Sequence, residues 1–306
     1  MPTATVTHTD ALSFLRSLPA ASVDAVITDP PYPGIKREYG TWTEPEWFAM
    51  MNPIVEECRR VLTATGSAVF VIQPNSERVG RMRLWWLRFM LEWGERWGLV
   101  QDAWWWNPAI LPNGGATTRG MMRASVKPLV WLGCEDCYRD QDSVLWEPNW
   151  NRIAAHAETR ATRSVRLPSG NNVDYRRIAE ATTRRGGSTP FNLLPITNAN
   201  SQSSAGAHGH GAGTPLALAR WWVRYICPPG GTVADPFSGS GTVQLAALAE
   251  GRNAIGSERM AKYVDIARRR IAEFVTPPPA KPKKPAWPID FGDLDTGAYT
   301  FLFSPE

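Results

Sequence analysis

The chain has 306 residues, 43% of them hydrophobic and 20% charged, which allows one large α/β domain with a smaller lobe and does not match a disordered or fibrous protein. No apolar stretch reaches the roughly 18 residues of a membrane span, no basic stretch followed by an apolar run opens the chain, and the cysteines are too few for a disulfide framework; a reducing, cytoplasmic setting is expected. Net charge is +4 with a pI near 9.0, and the excess is local: eight arginines between Trp150 and Pro190 face Glu158, Asp174 and Glu180, a balance of +5 that leaves about −1 for the rest.

Residues 4–8 alternate with β-branched side chains and read as a short strand. Asp10 is placed to cap a helix to about residue 18, with Leu12, Leu15 and Leu18 on one face. Residues 23–28 form an apolar run of strand length, the kind buried on both faces of a parallel sheet. Thr43 and Glu46 make a capping box for a helix through residue 62, kinked at Pro53 and ended by Gly66. A strand is expected over 67–72, an aromatic helix over 81–97, and strands over 100–106 and 128–132. From about 134 to 213 the chain is rich in Arg, Asn, Ser, Thr and Gly without periodic apolar runs, and loop is expected. Regular elements return as a helix over 215–226, a strand over 232–235, a helix over 242–249, a strand over 253–257 and a helix over 261–274. Residues 277–285 (PPPAKPKKP) form an extended spacer, followed by a short aromatic and acidic tail. There are no internal repeats, and the alternation of strands and helices indicates a doubly wound sheet.

The first motif is Asp29-Pro30-Pro31-Tyr32, at the end of a buried strand, where ligands bind in open α/β sheets. The prolines fix the backbone and bring no N–H, so their carbonyls are able to face a ligand. Tyr32 has a ring able to stack on a planar base. An exocyclic amino group is a poor nucleophile because its lone pair is delocalised into the ring. Hydrogen bonds accepted from its two hydrogens, by Asp29 and a proline carbonyl, favour a pyramidal nitrogen able to attack a methyl group. The bland alternative is a turn that happens to contain Pro-Pro.

The second motif is Asp235-Pro236-Phe237-Ser238-Gly239-Ser240-Gly241-Thr242, a strand running into a Gly-rich turn and then a helix. Small residues there let a cofactor approach the backbone. Glu258 follows Gly241 by 17 residues at the end of the next strand, placed to accept from ribose hydroxyls. A dinucleotide fingerprint would need glycine at 244, where the chain has Gln244.

Together these segments resemble the β group of DNA amino-methyltransferases, which modify adenine N6 or cytosine N4 and in which the catalytic half precedes the cofactor half. The order fits, with the Gly-rich motif about 200 residues after Asp29. The segment His8-Thr9-Asp10-Ala11-Leu12 resembles the family's segment whose acid contacts the cofactor adenine. Residues 210–218 resemble its His-Pro-x-x-Lys-Pro-Leu segment, with Gly211 and Thr214 standing for the Pro and the Lys. Residues 254–258, with Tyr263 and Ala267, resemble its second cofactor motif.

The resemblance implies a Rossmann-like α/β methyltransferase sheet with circularly permuted motif order and a target-recognition insertion. Residues 1–133 would form the catalytic half, 134–207 the target-recognition region, 208–275 the cofactor half, and 276–306 the linker and tail. It implies S-adenosylmethionine held by Asp10, His210, Asp235, Phe237, Ser238, Gly239, Gly241, Thr242 and Glu258, with Asp29, Pro30, Pro31 and Tyr32 catalytic. Asp10 has helix capping as its alternative role, Asp235 turn satisfaction and Phe237 core packing. Double-stranded DNA is the expected partner, with the target base extruded to reach Asp29. Lys36 and Arg37, in the loop after Tyr32, are candidate contacts to its phosphates. So are Arg152, Arg160, Arg163, Arg166, Arg176, Arg177, Arg184 and Arg185, some able to read guanine edges; a solvated surface is their alternative.

Asp before Pro-Pro-Tyr associates in this family with adenine N6. Cytosine N4 is the alternative base, and RNA or protein-glutamine methylation and a non-catalytic DNA-binding relative are less favoured. Cys134 and Cys137 stand alone as a pair, and no metal is expected. The tryptophans are expected in the core, with one of Trp105, Trp106 or Trp146 a candidate wall of the base pocket. A homodimer, a partner for the tail and an accompanying restriction nuclease stay open.

Overall fold

The computed structural model of the protein describes residues 1–38, 40–78, 80–109, 120–147, 165–166, 172–173, 175–197 and 213–275. Among them no helix is long and apolar enough to cross a membrane. The chain divides into two compact units, one over residues 1–144 and 191–275, the other around 145–190.

The first unit is built on an eight-stranded sheet. Its strands, in chain order, are β1 (Ala4–His8), β2 (Val23–Thr28), β3 (Leu62–Val71), β6 (Leu99–Trp106), β7 (Val126–Gly133), β10 (Leu193–Pro195), β11 (Thr232–Asp235) and β12 (Asn253–Glu258). The order across the sheet is β1-β12-β11-β2-β3-β7-β6-β10, and β7 alone runs against the others. A small hairpin, β4 (Ser76–Arg78) with β5 (Arg81–Met82), lies outside it.

Helices cover both faces, which is why β2 is buried at every position but Asp24. On one face α1 (Ala11–Ser17), α2 (Glu44–Val61) and α3 (Trp85–Trp93) bury Phe14, Leu15, Trp47, Met51, Trp85 and Phe89 against Val26, Phe70 and Val130. On the other, α5 (Leu216–Ile226) sets Trp222 against Trp131 of β7, ring centroids 5.4 Å apart, and α6 (Thr242–Ala249) packs beside it. The last helix, α7 (Ala261–Val275), covers β1 through Val264 and Ala267. The second unit contains a short ribbon, β8 (Val165–Arg166) with β9 (Asn172–Val173), and α4 (Tyr175–Arg185).

The local signals explain the boundaries. Asp10 accepts from Ser13 N at 2.9 Å and starts α1. Thr43 and Glu46 complete both halves of the capping box of α2. Three sequence expectations are corrected. The helix α2 ends at Val61, and Gly66 lies inside β3, where an added Cβ would meet Leu62 and the Asp24 carbonyl. Close packing against β2 fixes that glycine, not helix termination. Arg81 and Met82 are strand, because the hairpin precedes α3, and the helix gives way to a π-helical turn at Gly94–Gly98. The stretch read as loop supplies α4 and β10; β10 is only three residues long, and its pairing with β6 rather than its own pattern makes it a strand. The buried residues of α1 are Ala11, Phe14 and Leu15, with Leu12 and Leu18 only partly covered.

Candidate functional site

The two sequence motifs end neighbouring strands. β11 pairs in parallel with β2, Val233 opposite Ala25 and Ala234 opposite Val26, so Asp29 and Asp235 emerge side by side at the carboxyl edge. Thr28 Oγ1 ties them together by donating to Asp235 Oδ1 at 2.6 Å. β12 and β1 bring Glu258 and Asp10 to the same edge. A cavity of about 450 Å³ lies over these ends, lined by Asp10, Asp29, Pro30, Pro31, Tyr32, Arg37, Asp235, Phe237, Ser238, Gly239, Thr242 and Glu258 among others. Concave sites at this edge are where the chain-end geometry of α/β sheets gathers ligand-binding groups.

The Asp29 loop is fixed by partners from distant segments. Tyr32 donates its hydroxyl to Asp29 Oδ1 and to the Val71 carbonyl. Thr214 Oγ1 donates to Asp29 Oδ2 at 3.0 Å, so each carboxylate oxygen already has one oriented donor and keeps further lone pairs. The fully buried Trp47 donates its indole N–H to the Pro31 carbonyl at 2.5 Å. Asn75 holds the Pro33 carbonyl at 2.6 Å and is held in turn by Trp85. Lys262 and Tyr263 of α7 both contact Glu38, anchoring the loop after Tyr32.

The Gly-rich loop is made differently. Gly239 and Gly241 have φ of +50° and +80°, and a Cβ on Gly241 would lie 3.0 Å from Ala267 Cβ. Ser238 donates to the Asp235 carbonyl and accepts from Gln244, and Arg270, nearly fully buried, donates to the carbonyl and hydroxyl of Ser240. Glu258 accepts from Gly239 N at 3.1 Å and Met260 N at 2.7 Å, with its other lone pairs available to the cavity. Burial pushes the Glu258 carboxyl above the usual carboxylate range. Asp235 is pushed up to about 7, chiefly by burial and further by the negative charges of Asp29 and Glu258, against the hydrogen bonds from Thr28 and Phe237. Asp10 stays below the usual range because Ser13 donates to it, and it both caps α1 and lines the cavity.

Not every expected residue reaches the cavity. Gly241 caps α6, and Lys36 is exposed outside the lining. His210, Arg152, Arg160 and Arg163 lie outside the described residues, and of Arg166 and Arg176 only the backbone is described. Arg177 and Arg184 are exposed on α4, with Arg185 donating to Thr189. Trp105 is buried, its indole N–H on the Ile196 carbonyl, and Trp146 belongs to the second unit.

Sequence reasoning passed over four residues that build the site. Thr214 stands where the resembling segment has Lys, and that departure was the signal. Gln244, which breaks the dinucleotide fingerprint, is the residue that clamps Ser238. Gly256 touches the loop so closely that a Cβ would lie 2.1 Å from Ser238 Oγ. Lys127 of β7 lines the cavity, and nothing in its local sequence marks it.

Comparison with known proteins agrees with this arrangement. A family model described as DNA methylase, of the N6/N4 type, matches residues 23–269. The DNA adenine methyltransferase YhdJ of Escherichia coli (strain K12) is 24% identical over 275 residues, covering 87% of this chain and 80% of its own. The structure of the PvuII DNA methyltransferase, described as cytosine-N4-specific, superposes with a TM-score of 0.64 at 22% identity, covering 90% of this chain and 94% of that one. The M1.HpyAVI–SAM complex gives 0.54 at 17% identity, covering 88% and 98%.

Proposed function

The chain belongs to the N6/N4 DNA methylases, and from that premise we propose that it methylates N6 of adenine in double-stranded DNA. It is a DNA amino-methyltransferase that uses S-adenosylmethionine. The observation that supports methyl transfer to an exocyclic amino nitrogen is the meeting of Asp29-Pro30-Pro31-Tyr32 with the Gly-rich loop in one cavity.

The Gly239–Gly241 turn, the Glu258 carboxylate and the Asp235 carboxylate fit the cofactor's backbone-hugging path, ribose hydroxyls and methionyl amine respectively; Phe237 and Asp10 complete that side. When bound there, S-adenosylmethionine supplies a methyl group activated by its sulfonium. Asp29 accepts one hydrogen of the target amino group. The Pro31 carbonyl already holds Trp47, so the Pro30 carbonyl is the second acceptor. Two acceptors draw the amino hydrogens out of the ring plane and turn the nitrogen lone pair towards the methyl. The Tyr32 ring stacks on the base while its hydroxyl keeps Asp29 oriented. Because the target nitrogen is paired inside a duplex, the base leaves the stack to reach Asp29. The rate advantage is mostly positional. Residues 134–207, with the arginines on α4, are assigned to target recognition, and Arg37 at the cavity rim to phosphate.

Adenine is favoured by Asp29 itself, since an Asp before Pro-Pro-Tyr is associated with adenine. Cytosine N4 is the second reading, because the cytosine-N4-specific PvuII enzyme is built on the same sheet. DNA from a host expressing the protein, digested to nucleosides and analysed by mass spectrometry, tests the choice. N6-methyladenine is expected; N4-methylcytosine as sole product would overturn it.

A further inference from the structure

Lys127 lies in the cavity on the side opposite the cofactor motifs. Strand order sets this side: β11, β12 and β1 lie beyond β2 in one direction, β3 and then β7 in the other. Lys127 pairs in register with Trp105 of β6, and its ammonium sits 4.5 Å from the centre of the Trp105 ring. That indole is 1% exposed and fixed by a 2.7 Å hydrogen bond to the Ile196 carbonyl, so the cation rests on a rigid floor. No described residue accepts a hydrogen bond from the ammonium, and each Asp29 oxygen already has a donor of its own in Tyr32 or Thr214. Burial pushes the lysine below its usual range while the charge of Asp29 pulls it back up, as for a partly desolvated cation near the catalytic carboxylate. A donor so placed, and left without an acceptor among the described residues, is set for one brought by the substrate.

We infer that Lys127 reads the extruded base, donating a hydrogen bond to the ring nitrogen beside the amino-bearing carbon: N1 of adenine or N3 of cytosine. This rests on the amino-methyltransferase reading of the same site. Adenine and cytosine both present an amino group next to a ring acceptor. Guanine and thymine carry an N–H at the matching ring position, which would set donor against donor in a confined site. Asp29 and Pro30 thus test for the amino group, and Lys127 tests for the acceptor beside it. Donation to the ring nitrogen withdraws density from the amino group, so the gain is in selection and orientation, and KM should respond more than kcat.

The test uses a duplex carrying the site found methylated in host DNA, with the target base intact or with that ring nitrogen replaced by C–H (1-deazaadenine, or 3-deazacytosine if the product is N4-methylcytosine). Steady-state kcat/KM is measured for the wild type and for Lys127→Met, which keeps the stem on Trp105, and S-adenosylmethionine affinity is measured for both. The wild type should prefer the intact base by about 10- to 100-fold. In Lys127→Met the preference should fall to within about threefold, with cofactor affinity unchanged. An unchanged preference in the variant overturns the inference. So does a wild type that does not distinguish the two bases, a result that stands even if the variant fails to fold. A wild type that methylates no amino group would instead overturn the catalytic reading beneath it.

Discussion

The Asp29 loop and the Gly-rich loop end adjacent strands of one sheet, and they are built by opposite means. The first is a short run of side chains and proline carbonyls, each held by a residue from far along the chain: Thr214, Trp47, Val71 and Asn75. The second is mostly backbone, shaped by glycines at positive φ and by a clamp of Ser238, Gln244 and Gly256 packed without spare room. The contrast teaches where each is fragile. Removing a side chain from the first should cost rate and leave the fold alone. Adding a single carbon to the second should cost cofactor binding and stability together.

The largest test of that contrast is Asp29→Ala. Asp29 is only half-buried and its partners Tyr32 and Thr214 are able to turn to water, so the melting temperature should hardly move. Turnover should fall by roughly 10³-fold, the scale of losing a preorganised group at the reacting centre, while S-adenosylmethionine still binds. Calorimetry beside a methylation assay checks both halves, and near-normal turnover would remove Asp29 from the reaction. Next in size is Gly256→Ala on the other side. Its Cβ would meet Ser238 Oγ at 2.1 Å, Gln244 Nε2 at 2.3 Å and the Asp235 carbonyl at 2.7 Å, and the last is backbone that has to shift. Overpacking of this kind costs about 1–3 kcal/mol. Thermal unfolding should drop by several degrees, and cofactor affinity should fall by roughly 10- to 100-fold. If Gly256→Ala unfolded normally and bound cofactor normally, the crowding that defines the second loop would be refuted.

The same contrast decides what was legible in the sequence. Strands β2 and β11 announce themselves as apolar runs that end in an acid and a turn, and Thr43 with Glu46 marks its helix start, because these signals act within a few residues. The partners of the Asp29 loop do not, since Thr214 lies 185 residues from Asp29 and comes to it only through the tertiary fold, at the start of α5, which packs against β2. Gln244 was visible as a failed fingerprint without any hint that it would reach back to Ser238. β10, three residues long, is defined by the edge of β6 it joins. Lys127 was invisible for a plainer reason: one lysine at the start of a strand reads as a solvated end, and only the placement of β7 beside β3 puts it in the cavity.

Thr214→Val tests how far the first loop depends on such a distant partner. The substitution keeps the shape and removes the 3.0 Å hydrogen bond to Asp29 Oδ2. A hydrogen bond to a charged group contributes about 1.5–3 kcal/mol, and water entering the cavity recovers part of it, so kcat should fall by roughly tenfold. KM for S-adenosylmethionine and the melting temperature should stay put, because Thr214 positions a catalytic carboxylate and holds neither the cofactor nor the core. An equal loss in cofactor affinity would mean that the two loops are not separable in this way.

The smallest effect joins the two sides through Asp235, whose folded pKa is pushed up to about 7 from the usual 3.8. Between those values the folded apoprotein holds a proton that the unfolded chain has released. The sign follows: the stability this group contributes is complete below pH 3.8 and is lost as pH rises through about 7. Cofactor binding runs the other way. A methionyl ammonium beside Asp235 favours the ionised carboxylate, so binding expels the proton, and affinity for S-adenosylmethionine should rise by about threefold between pH 6.5 and 7.5. Titration calorimetry in buffers of different ionisation enthalpy should register that proton leaving, and Asp235→Asn should abolish both the release and the pH dependence. Because Thr28, at the end of the catalytic strand, donates to this carboxylate, Thr28→Val should raise the pKa further and shift the affinity curve to higher pH. An unshifted curve would show that the catalytic strand, although hydrogen-bonded to the cofactor acid, does not tune it.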